Sequence, residues 1–187
     1  MPKLLPIAPE PFTPATDRDM LASERREFVR THRTCIFGYG RRHDGPAMSV
    51  VYYVPTAEDE LLISTMATRS KARAVMRSPK VSLCVLDERW PFSYVQVYAD
   101  ATVDRDTDLV IDVMMAVAAR MSGQELGADA RPVVAAMAVE EERVVVRCRP
   151  YATFAQPPRH LHRNDQPEEL THWVSATVAW DAPDPNV

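Results

Sequence analysis

Apolar residues in the middle of the chain form short runs separated by polar turns, which is typical of antiparallel strands joined as hairpins. The segment HDGPAMSVVYYVPTAEDELLISTM predicts a turn at Asp44-Gly45, a strand that ends before Pro55, a polar turn and a second strand. A short helix and another apolar strand follow, the strand beginning after Pro79. Near the end, RVVVRCRPY predicts a last strand whose Arg143, Arg147 and Arg149 alternate away from the core.

Three further segments have helical character. The segment from Asp17 to His32 has an apolar stripe of Leu21, Phe28 and Val29. The segment from Thr107 to Ser122 ends before Gly123 and shows apolar residues at helical spacing; these are Leu109, Val110, Val113, Met114, Val117 and Met121. A short helix is also expected near Arg131-Pro132. We interpret all three as scaffold helices, with the methionines as core packing.

The segment between Glu60 and Asp87 is basic, although the whole chain has a formal net charge of -4. It contains no carboxylate and carries several basic and hydroxyl residues, namely Arg69, Lys71, Arg73, Arg77, Lys80, Ser64, Thr65, Thr68 and Ser70. A strand that leads into a helix N-terminus presents unpaired N–H groups and the positive end of the helix dipole. The pattern therefore predicts a phosphate-binding site.

Helical geometry separates the basic side chains of this segment. Lys71 falls in the first turn, beside an apolar face expected to comprise Ala72, Val75 and Met76, so that its ammonium group can reach an anion. Arg73 and Arg77 share another face. A solvated surface helix is the alternative interpretation; it accounts for these two arginines but not for the missing carboxylates.

The order of these elements resembles the split-barrel flavin family that includes pyridoxamine phosphate oxidases and the actinobacterial flavin or deazaflavin oxidoreductases. The resemblance covers roughly residues 20 to 150 and rests on five motifs in the family's order and spacing. They are Asp44-Gly45-Pro46, Ser49 to Val54, Ser64-Thr65, Arg69-Ser70-Lys71, and Pro79 to Leu83. The resemblance implies a mainly β, α+β fold: a six- or seven-stranded antiparallel split β-barrel with two to three flanking helices.

The resemblance also implies a cofactor site. Ser49, Val50, Val51 and Tyr52 would line the flavin ring, and Ser64, Thr65, Ser70 and Lys71 would hold the phosphate with help from Arg69. Without the resemblance, Val50, Val51 and Tyr52 would be interpreted as core residues of a half-buried strand. No catalytic side chain is predicted, because the cofactor supplies the reactivity.

Departures from the family pattern narrow this expectation. Ser49 and Val54 stand where members that oxidise pyridoxamine phosphate commonly have Arg and Lys, and their C-terminal substrate motif has no counterpart after Arg149. These departures argue against vitamin B6 oxidation. Ala99 stands at the usual glycine of the fifth strand, which predicts a change in strand bending or in the approach of a partner chain.

The length of 187 residues and an apolar content of 46% suit one compact domain. We assign residues 17–155 to the barrel, residues 1–16 to an extended N-terminal arm and residues 156–187 to a C-terminal extension. The prolines and acidic residues of this extension are typical of a disordered tail, whereas its two tryptophans, Trp173 and Trp180, favour a packed segment. The three cysteines lack disulfide spacing and lie in predicted strands; these are Cys35, Cys84 and Cys148. Together with the absence of a long apolar stretch, they indicate a cytoplasmic protein without a membrane anchor.

Other site types are disfavoured. His160, His162 and His172 lie in a proline-rich segment without helical ligand spacing, so we predict no metal site. The acidic isoelectric point, about 5.7, disfavours nucleic acid as a partner. The sequence thus favours a homodimeric oxidoreductase that binds coenzyme F420, a deazaflavin, or FMN at the dimer interface and transfers hydride to or from a small organic substrate. A non-catalytic flavin or tetrapyrrole carrier is the alternative.

Overall fold

A computed structural model describes residues 1–15, 18–89, 92–156 and 176–185 of the chain. Helices and strands occur in the following order: α1 (Ala22–Thr31), β1 (Thr34–Tyr39), β2 (Ala47–Tyr52), β3 (Val54–Pro55), β4 (Leu61–Met66), α2 (Ser70–Arg77), β5 (Lys80–Asp87), β6 (Ser93–Asp104), α3 (Thr107–Ser122), a 3₁₀ turn (Ala128–Ala130), α4 (Arg131–Glu140), β7 (Arg143–Gln156) and β8 (Val178–Ala179).

The strands form one antiparallel sheet in the order β2-β1-β5-β6-β7-β4-β3, with β8 added beside β7. The sheet curls until β2 approaches β4, but no ladder joins these two strands in the described part of the chain. This open seam makes the structure a split barrel, as the family resemblance implies. Two of the eight described strands have only two residues each, and four α-helices replace the expected two to three.

Two apolar cores lie on opposite sides of the sheet. Alternate residues of the strands fill the barrel interior, where Phe37, Leu83 and Val97 have no exposed surface. The second core lies on the outer side of β3, β4 and β7, where α3 and α4 cover Leu62 and Val145. Among the described residues, helices therefore shield the outer side of the sheet at this end only.

The sequence placed several boundaries and faces incorrectly. Helix α1 begins at Ala22 rather than Asp17, because Leu21 has extended backbone and its amide is capped by the Glu24 carboxylate at 2.8 Å. Strand β2 ends at Tyr52, not Val54, since the Tyr53 side chain turns inward and donates a 2.5 Å hydrogen bond from its hydroxyl to the Val29 carbonyl.

Two predicted helix stripes are each too long by one residue. Met76 is 56% exposed and Met121 is 64% exposed, so neither belongs to the core. In α2, Ala74 is buried instead, alongside Ala72 and Val75. Helix α3 otherwise has the predicted bounds, and it ends where Gly123 adopts a φ of 74°, which favours glycine.

Ala99 of β6 lies opposite an irregularity in β7, where Tyr151 is the extra residue. The pairing of β6 with β7 shifts register between Tyr98 and Ala99, and the Ala99 side chain is completely buried. Such a bulge bends a strand and increases its twist. Because Ala99 stands where the family usually has glycine, the sequence predicts a change in strand bending at this position.

Both terminal segments contact the barrel of their own chain. The N-terminal arm is extended and runs beside β3, with Leu4 bridged to Thr56 and the Ala57 amide donating to the Lys3 carbonyl at 2.8 Å. In the C-terminal segment, β8 pairs with β7, and Trp180 is 7% exposed. Trp173 and the three histidines of this segment lie outside the described residues.

All three cysteines lie in strands, as predicted, and have free thiols. Cys35 and Cys148 are buried in the barrel interior. Cys84 is only half-buried, because its position in β5 places it on the outer face of the sheet. The prediction of burial is therefore correct for two of the three.

Candidate cofactor-binding site

The end of β4 and the start of α2 form the predicted phosphate-binding segment. Helix α2 begins at Ser70, directly after Arg69, which has extended backbone and provides no side-chain cap. The first turn contains no acidic residue. Its free amide groups and the positive end of the helix dipole are therefore not neutralised by a carboxylate of the helix itself, which suits the binding of an external anion.

Lys71 is the half-buried cation of this segment. It lies in the first turn of α2, as predicted, and within electrostatic reach of Cys35 of strand β1 in the barrel interior. Burial lowers the pKa of its ammonium group, and the neighbouring Arg69 guanidinium lowers it further. Lys71 has no ion pair in the described part of the chain, so an external anion would be its counter-ion.

The remaining basic residues of the window divide into two kinds. Arg73 and Arg77 are exposed, and Arg77 donates to the Arg73 carbonyl at 3.0 Å. Lys80 is paired with Asp100 of the neighbouring strand at 2.7 Å. The sequence therefore predicted correctly that Arg73 and Arg77 are solvated, but it did not show that Lys80 forms an ion pair with a carboxylate outside the segment between Glu60 and Asp87.

The four predicted ring contacts on β2 are split between two faces of the strand. Ser49 and Val51 pair with Phe37 and Cys35, the inward residues of β1. Val50 points outward and is 74% exposed, so its interpretation as a core residue is wrong. Tyr52 is half-buried on the same outward side. A ligand on β2 could therefore contact either set of side chains.

Two of the predicted hydroxyl groups lack partners. Ser49 Oγ on β2 and Ser64 Oγ on β4 are buried and make no hydrogen bond. A buried hydroxyl without a partner costs free energy, about 1–3 kcal/mol, unless a ligand or water satisfies it. The two atoms lie on the strands that border the open seam, but they face opposite sides of the sheet and do not mark one common ligand position.

Ser64 and Thr65 lie on opposite faces of β4. Ser64 pairs with Val145, on the side covered by α3 and α4, whereas Thr65 pairs with Val144 and follows the interior residue Ile63 at two-residue spacing. The hydroxyl of Thr65 is therefore on the side of the barrel interior, where Lys71 lies near Cys35. The roles of all the predicted contact residues in cofactor binding stay predictions.

Sequence reasoning missed an ion cluster at the start of β4. Glu60 is 6% exposed and accepts hydrogen bonds from Arg147 at 2.5 Å and from Arg149 at 3.3 Å. Arg147 also donates to Asp104 at 3.1 Å. Alternation in β7 placed both arginines on the outer face, but only the β4–β7 register shows that their partner is Glu60.

The described residues show no membrane-crossing or metal-binding feature. No helix among them is both long and apolar enough to cross a bilayer. No group of three or more His, Cys, Asp or Glu residues in the same ranges lies close enough together to hold a metal ion. The prediction that His160, His162 and His172 bind no metal concerns residues outside these ranges.

A family match decides the classification of this chain. A model of the family described as pyridoxamine 5'-phosphate oxidase matches residues 21–154, most of the barrel. The chain belongs to this family. The match includes both the β2 strand and the β4–α2 segment of the candidate site. Comparison with curated protein sequences gave no significant match.

Solved structures agree with the fold of the pyridoxamine 5'-phosphate oxidase family. A conserved hypothetical protein, Rv2991 from Mycobacterium tuberculosis, is 22% identical with a TM-score of 0.65, over 78% of this chain and 90% of that chain. An F420 reductase is 19% identical with a TM-score of 0.51, over 67% and 91%. A heme binding protein from Mycobacterium smegmatis is 11% identical with a TM-score of 0.57, over 87% of this chain and 59% of that chain.

Proposed function

We propose that this protein is an oxidoreductase that holds a flavin-type cofactor, either coenzyme F420 or FMN, at the interface of a homodimer. The observation that carries the proposal is the half-buried ammonium group of Lys71, which lies at the start of α2 and has no carboxylate partner in the described residues. The cofactor phosphate would be its counter-ion. Membership in a family that includes oxidoreductases and fold similarity to an F420 reductase support the proposal.

The phosphate end of the cofactor would be held by charge-assisted hydrogen bonds. Lys71 and Arg69 supply positive charge, and Ser70 and the first amides of α2 supply further donors. Thr65 would donate its hydroxyl from the interior side of β4. When bound, the cofactor would supply the hydride chemistry. The protein would orient the ring and exclude water from it.

The ring end would lie along β2. Ser49 Oγ is a buried donor without a partner, and the strand is an edge of the sheet, so that its outer backbone groups are free of ladder hydrogen bonds. These groups suit the polar pyrimidine edge of a flavin-type ring. Val50 and Tyr52 on the outward side would contact the ring or a partner chain.

The outer face of the sheet supports a homodimer. A continuous row of outward residues, defined by the strand registers, crosses five strands without a covering helix in the described residues; it comprises Val50, Ile36, Cys84, Gln96 and Phe154. Met48, next to this row on β2, is 71% exposed. Apolar side chains in this position favour association with a second chain. Sedimentation should show dimer at micromolar concentration, and a stable cofactor-bound monomer would contradict this arrangement.

The choice between the two cofactors depends on their tails. A deazaflavin of the F420 type carries a long anionic tail beyond its phosphate, and the exposed Arg73 and Arg77 of α2 offer positive charge outside the predicted phosphate site. Arg42 is likewise exposed, whereas Arg41 is paired with Asp44 at 2.7 Å. These charges lead us to favour coenzyme F420 over FMN.

Parallel titrations test the proposal. The purified full-length protein is titrated with FMN and with oxidised coenzyme F420 in the same buffer, with cofactor fluorescence as the readout. We expect tighter binding of coenzyme F420 and a salt dependence stronger than that of FMN, because more phosphate and carboxylate groups are neutralised. Tighter binding of FMN would reverse the cofactor assignment, and binding of neither would refute the flavin-type site.

A non-catalytic carrier is the second candidate function, favoured by the fold similarity to a heme binding protein. The two functions differ in turnover. An enzyme should reduce its bound cofactor with a cognate donor and reoxidise it with a small acceptor, whereas a carrier should retain an inert ligand. A titration with hemin belongs beside those with FMN and coenzyme F420. We expect the protein to act in the cytoplasm, where free thiols persist.

A further inference from the structure

A cavity lies between α3 and the N-terminal arm of the protein. It has a volume of about 400 Å³ and is enclosed by the N-terminal arm, the second half of α3 and the chain that leads into α4. Apolar side chains form much of its wall, among them those of Leu5, Met115, Ala116 and Leu126. None of the predicted cofactor contacts lines it. A volume and lining of this kind are typical of small-molecule sites.

One of the polar residues that line the cavity is the buried cation Arg120. Its side chain belongs to the last turns of α3, and the residue is 5% exposed. The guanidinium group donates to the Ala116 carbonyl at 3.1 Å and to the Leu5 carbonyl of the N-terminal arm at 2.9 Å. These are neutral acceptors, so they satisfy two N–H groups but leave the positive charge without a counter-ion.

The carboxylates near Arg120 do not pair with it. Asp112, which also lines the cavity, is already bound by Arg131. Glu125 is close enough to influence Arg120 electrostatically, but it is exposed and forms no ion pair with Arg120. No carboxylate of the described residues lies within salt-bridge distance of the Arg120 guanidinium. Burial accordingly lowers the pKa of Arg120.

An unpaired buried charge beside an apolar cavity specifies the chemistry of a ligand. Buried cations are costly unless an anion with good hydrogen-bond geometry accompanies them, and guanidinium groups bind carboxylates with particular geometric fit. Apolar walls favour a hydrocarbon or aromatic body. If Arg120 only held the N-terminal arm in place, its hydrogen bond to the Leu5 carbonyl would be sufficient, and the cavity beside it would have no explanation.

We propose that this cavity binds a small apolar carboxylic acid, with the carboxylate on the Arg120 guanidinium and the apolar body against Met115, Ala116 and Leu126. The site is independent of the proposed flavin-type site, because it is built from α3 and the N-terminal arm rather than from β2, β4 and α2. Its ligand would be a substrate or an effector of this chemical class.

Phenylbutyrate and phenylbutanol are matched probes for the proposed site, since they differ mainly in the carboxylate. Each is titrated into the full-length protein by calorimetry, without added flavin-type cofactor and again with it. We expect phenylbutyrate to bind at one site per chain and at least about tenfold more tightly than phenylbutanol, because a charge-assisted bond distinguishes them. Equal affinity of the two compounds, or binding of neither, would overturn the proposal.

Three variants locate the binding and separate it from a purely structural role of Arg120. Ala116→Leu fills the cavity without removing a charge, and it should abolish phenylbutyrate binding. Glu125→Gln removes the competing negative charge and should tighten binding by a few-fold. Arg120→Met should lose the preference of the protein for the acid over the alcohol, with folding monitored by circular dichroism. If Ala116→Leu and Glu125→Gln both bind phenylbutyrate as the unchanged protein does, the acid binds elsewhere and the assignment fails.

Discussion

The two ends of strand β4 present opposite electrostatic situations within six residues of strand. At its start, Asp59 and Glu60 are carboxylates with several partners each. At its end, Arg69 and Lys71 are cations without a carboxylate partner in the described residues. Both ends are formed by charged residues at a turn. The difference lies in whether the rest of the fold supplies a counter-ion.

The start of β4 is charge-compensated by distant segments. Asp59, whose φ of 63° marks a tight turn, accepts from Arg30 of α1 at 2.6 Å and from the Trp180 indole of the C-terminal segment at 3.2 Å. Glu60 is bound by Arg147 and Arg149 of β7. These contacts join four segments of the chain. The charges at this end therefore contribute to stability and are not available to a ligand.

The end of β4 has the opposite character. Among the described residues, the only polar contact of the Arg69 side chain is a weak one from Nε to the Met66 sulfur, at 3.4 Å. The Lys71 ammonium is half-buried and unpaired within the described residues. A cation left without a protein partner costs stability in the free protein, so its presence is explained if a ligand provides the anion. Changes at the two ends should accordingly affect different properties.

The largest expected effect is on stability, from Glu60→Ala. The substitution leaves Arg147 and Arg149 without their shared acceptor, and breaking a buried ion pair is strongly destabilising. Because Arg147 is partly exposed and Arg149 is largely exposed, we expect a loss of about 2–3 kcal/mol in the free energy of unfolding, measured with urea. The exposed Glu140→Ala is the matched control and should change it by less than about 0.5 kcal/mol. A loss as small as that of the control would contradict a compensated cluster.

Lys71→Ala should have the reverse profile. Removal of a charge-assisted bond to phosphate should weaken cofactor binding by roughly tenfold or more, or about 1.5–3 kcal/mol. The free energy of unfolding without cofactor should stay the same or rise, because an unpaired half-buried charge is lost. Fluorescence titration and urea unfolding measure the two quantities. Arg77→Ala, on the exposed side of α2, is the control and should bind nearly normally; unchanged affinity of Lys71→Ala would remove its assigned role.

Ser70→Glu would convert the uncompensated end into a compensated one. A carboxylate in the first turn of α2 interacts favourably with the helix dipole and with Lys71, and should raise the free energy of unfolding by about 0.3–1 kcal/mol. The same carboxylate should repel a cofactor phosphate and lower its affinity. Thermal melts and cofactor titrations detect the two opposite shifts. Ser78→Glu, at the other end of α2, should produce neither the gain in unfolding free energy nor the loss of cofactor affinity. Tight cofactor binding by Ser70→Glu would place the phosphate elsewhere.

Acid should weaken the start of β4 through Asp104. Its pKa is lowered chiefly by the backbone amide of Asp106, and also by Arg147. A carboxylate with a depressed folded-state pKa contributes stability above its unfolded value of 3.8, and this contribution is lost as the pH falls through the folded value. Asp104→Asn should therefore flatten the decline in unfolding free energy below pH 3.8, measured by urea titration across pH. An unchanged acid decline would show that other carboxylates account for it.

The sequence predicted the antiparallel strands, the turns and the helices because alternation, turn residues and helical spacing are local properties, whereas the split barrel was implied by the resemblance to a known family. Thr107–Ser122 has its predicted bounds, and Lys71 lies in the first turn of its helix. Strand register and side-chain partners are not local, which is why the Glu60–Arg147 pair and the partner of Lys80 could not be foreseen. The exposure of Val50 was missed for the same reason. Alternation separates the two faces of a strand, but it does not show that the described helices cover the outer face at one end of the sheet and leave it open at Val50.

The extended N-terminal arm has a consequence for the behaviour of shortened forms of the protein. Around Leu4, the Leu5 amide donates to the Pro55 carbonyl and the Lys3 carbonyl accepts from the Ala57 amide, at the outer edge of β3, which is the last strand of the sheet at that end. Without the arm, the Pro55 carbonyl and the Ala57 amide would be open to pairing with another chain. A form that begins after Pro14 should therefore polymerise edge to edge on concentration, and a fusion partner attached close to Leu4 should have the same effect. Expression designs for this protein should leave the first residues intact.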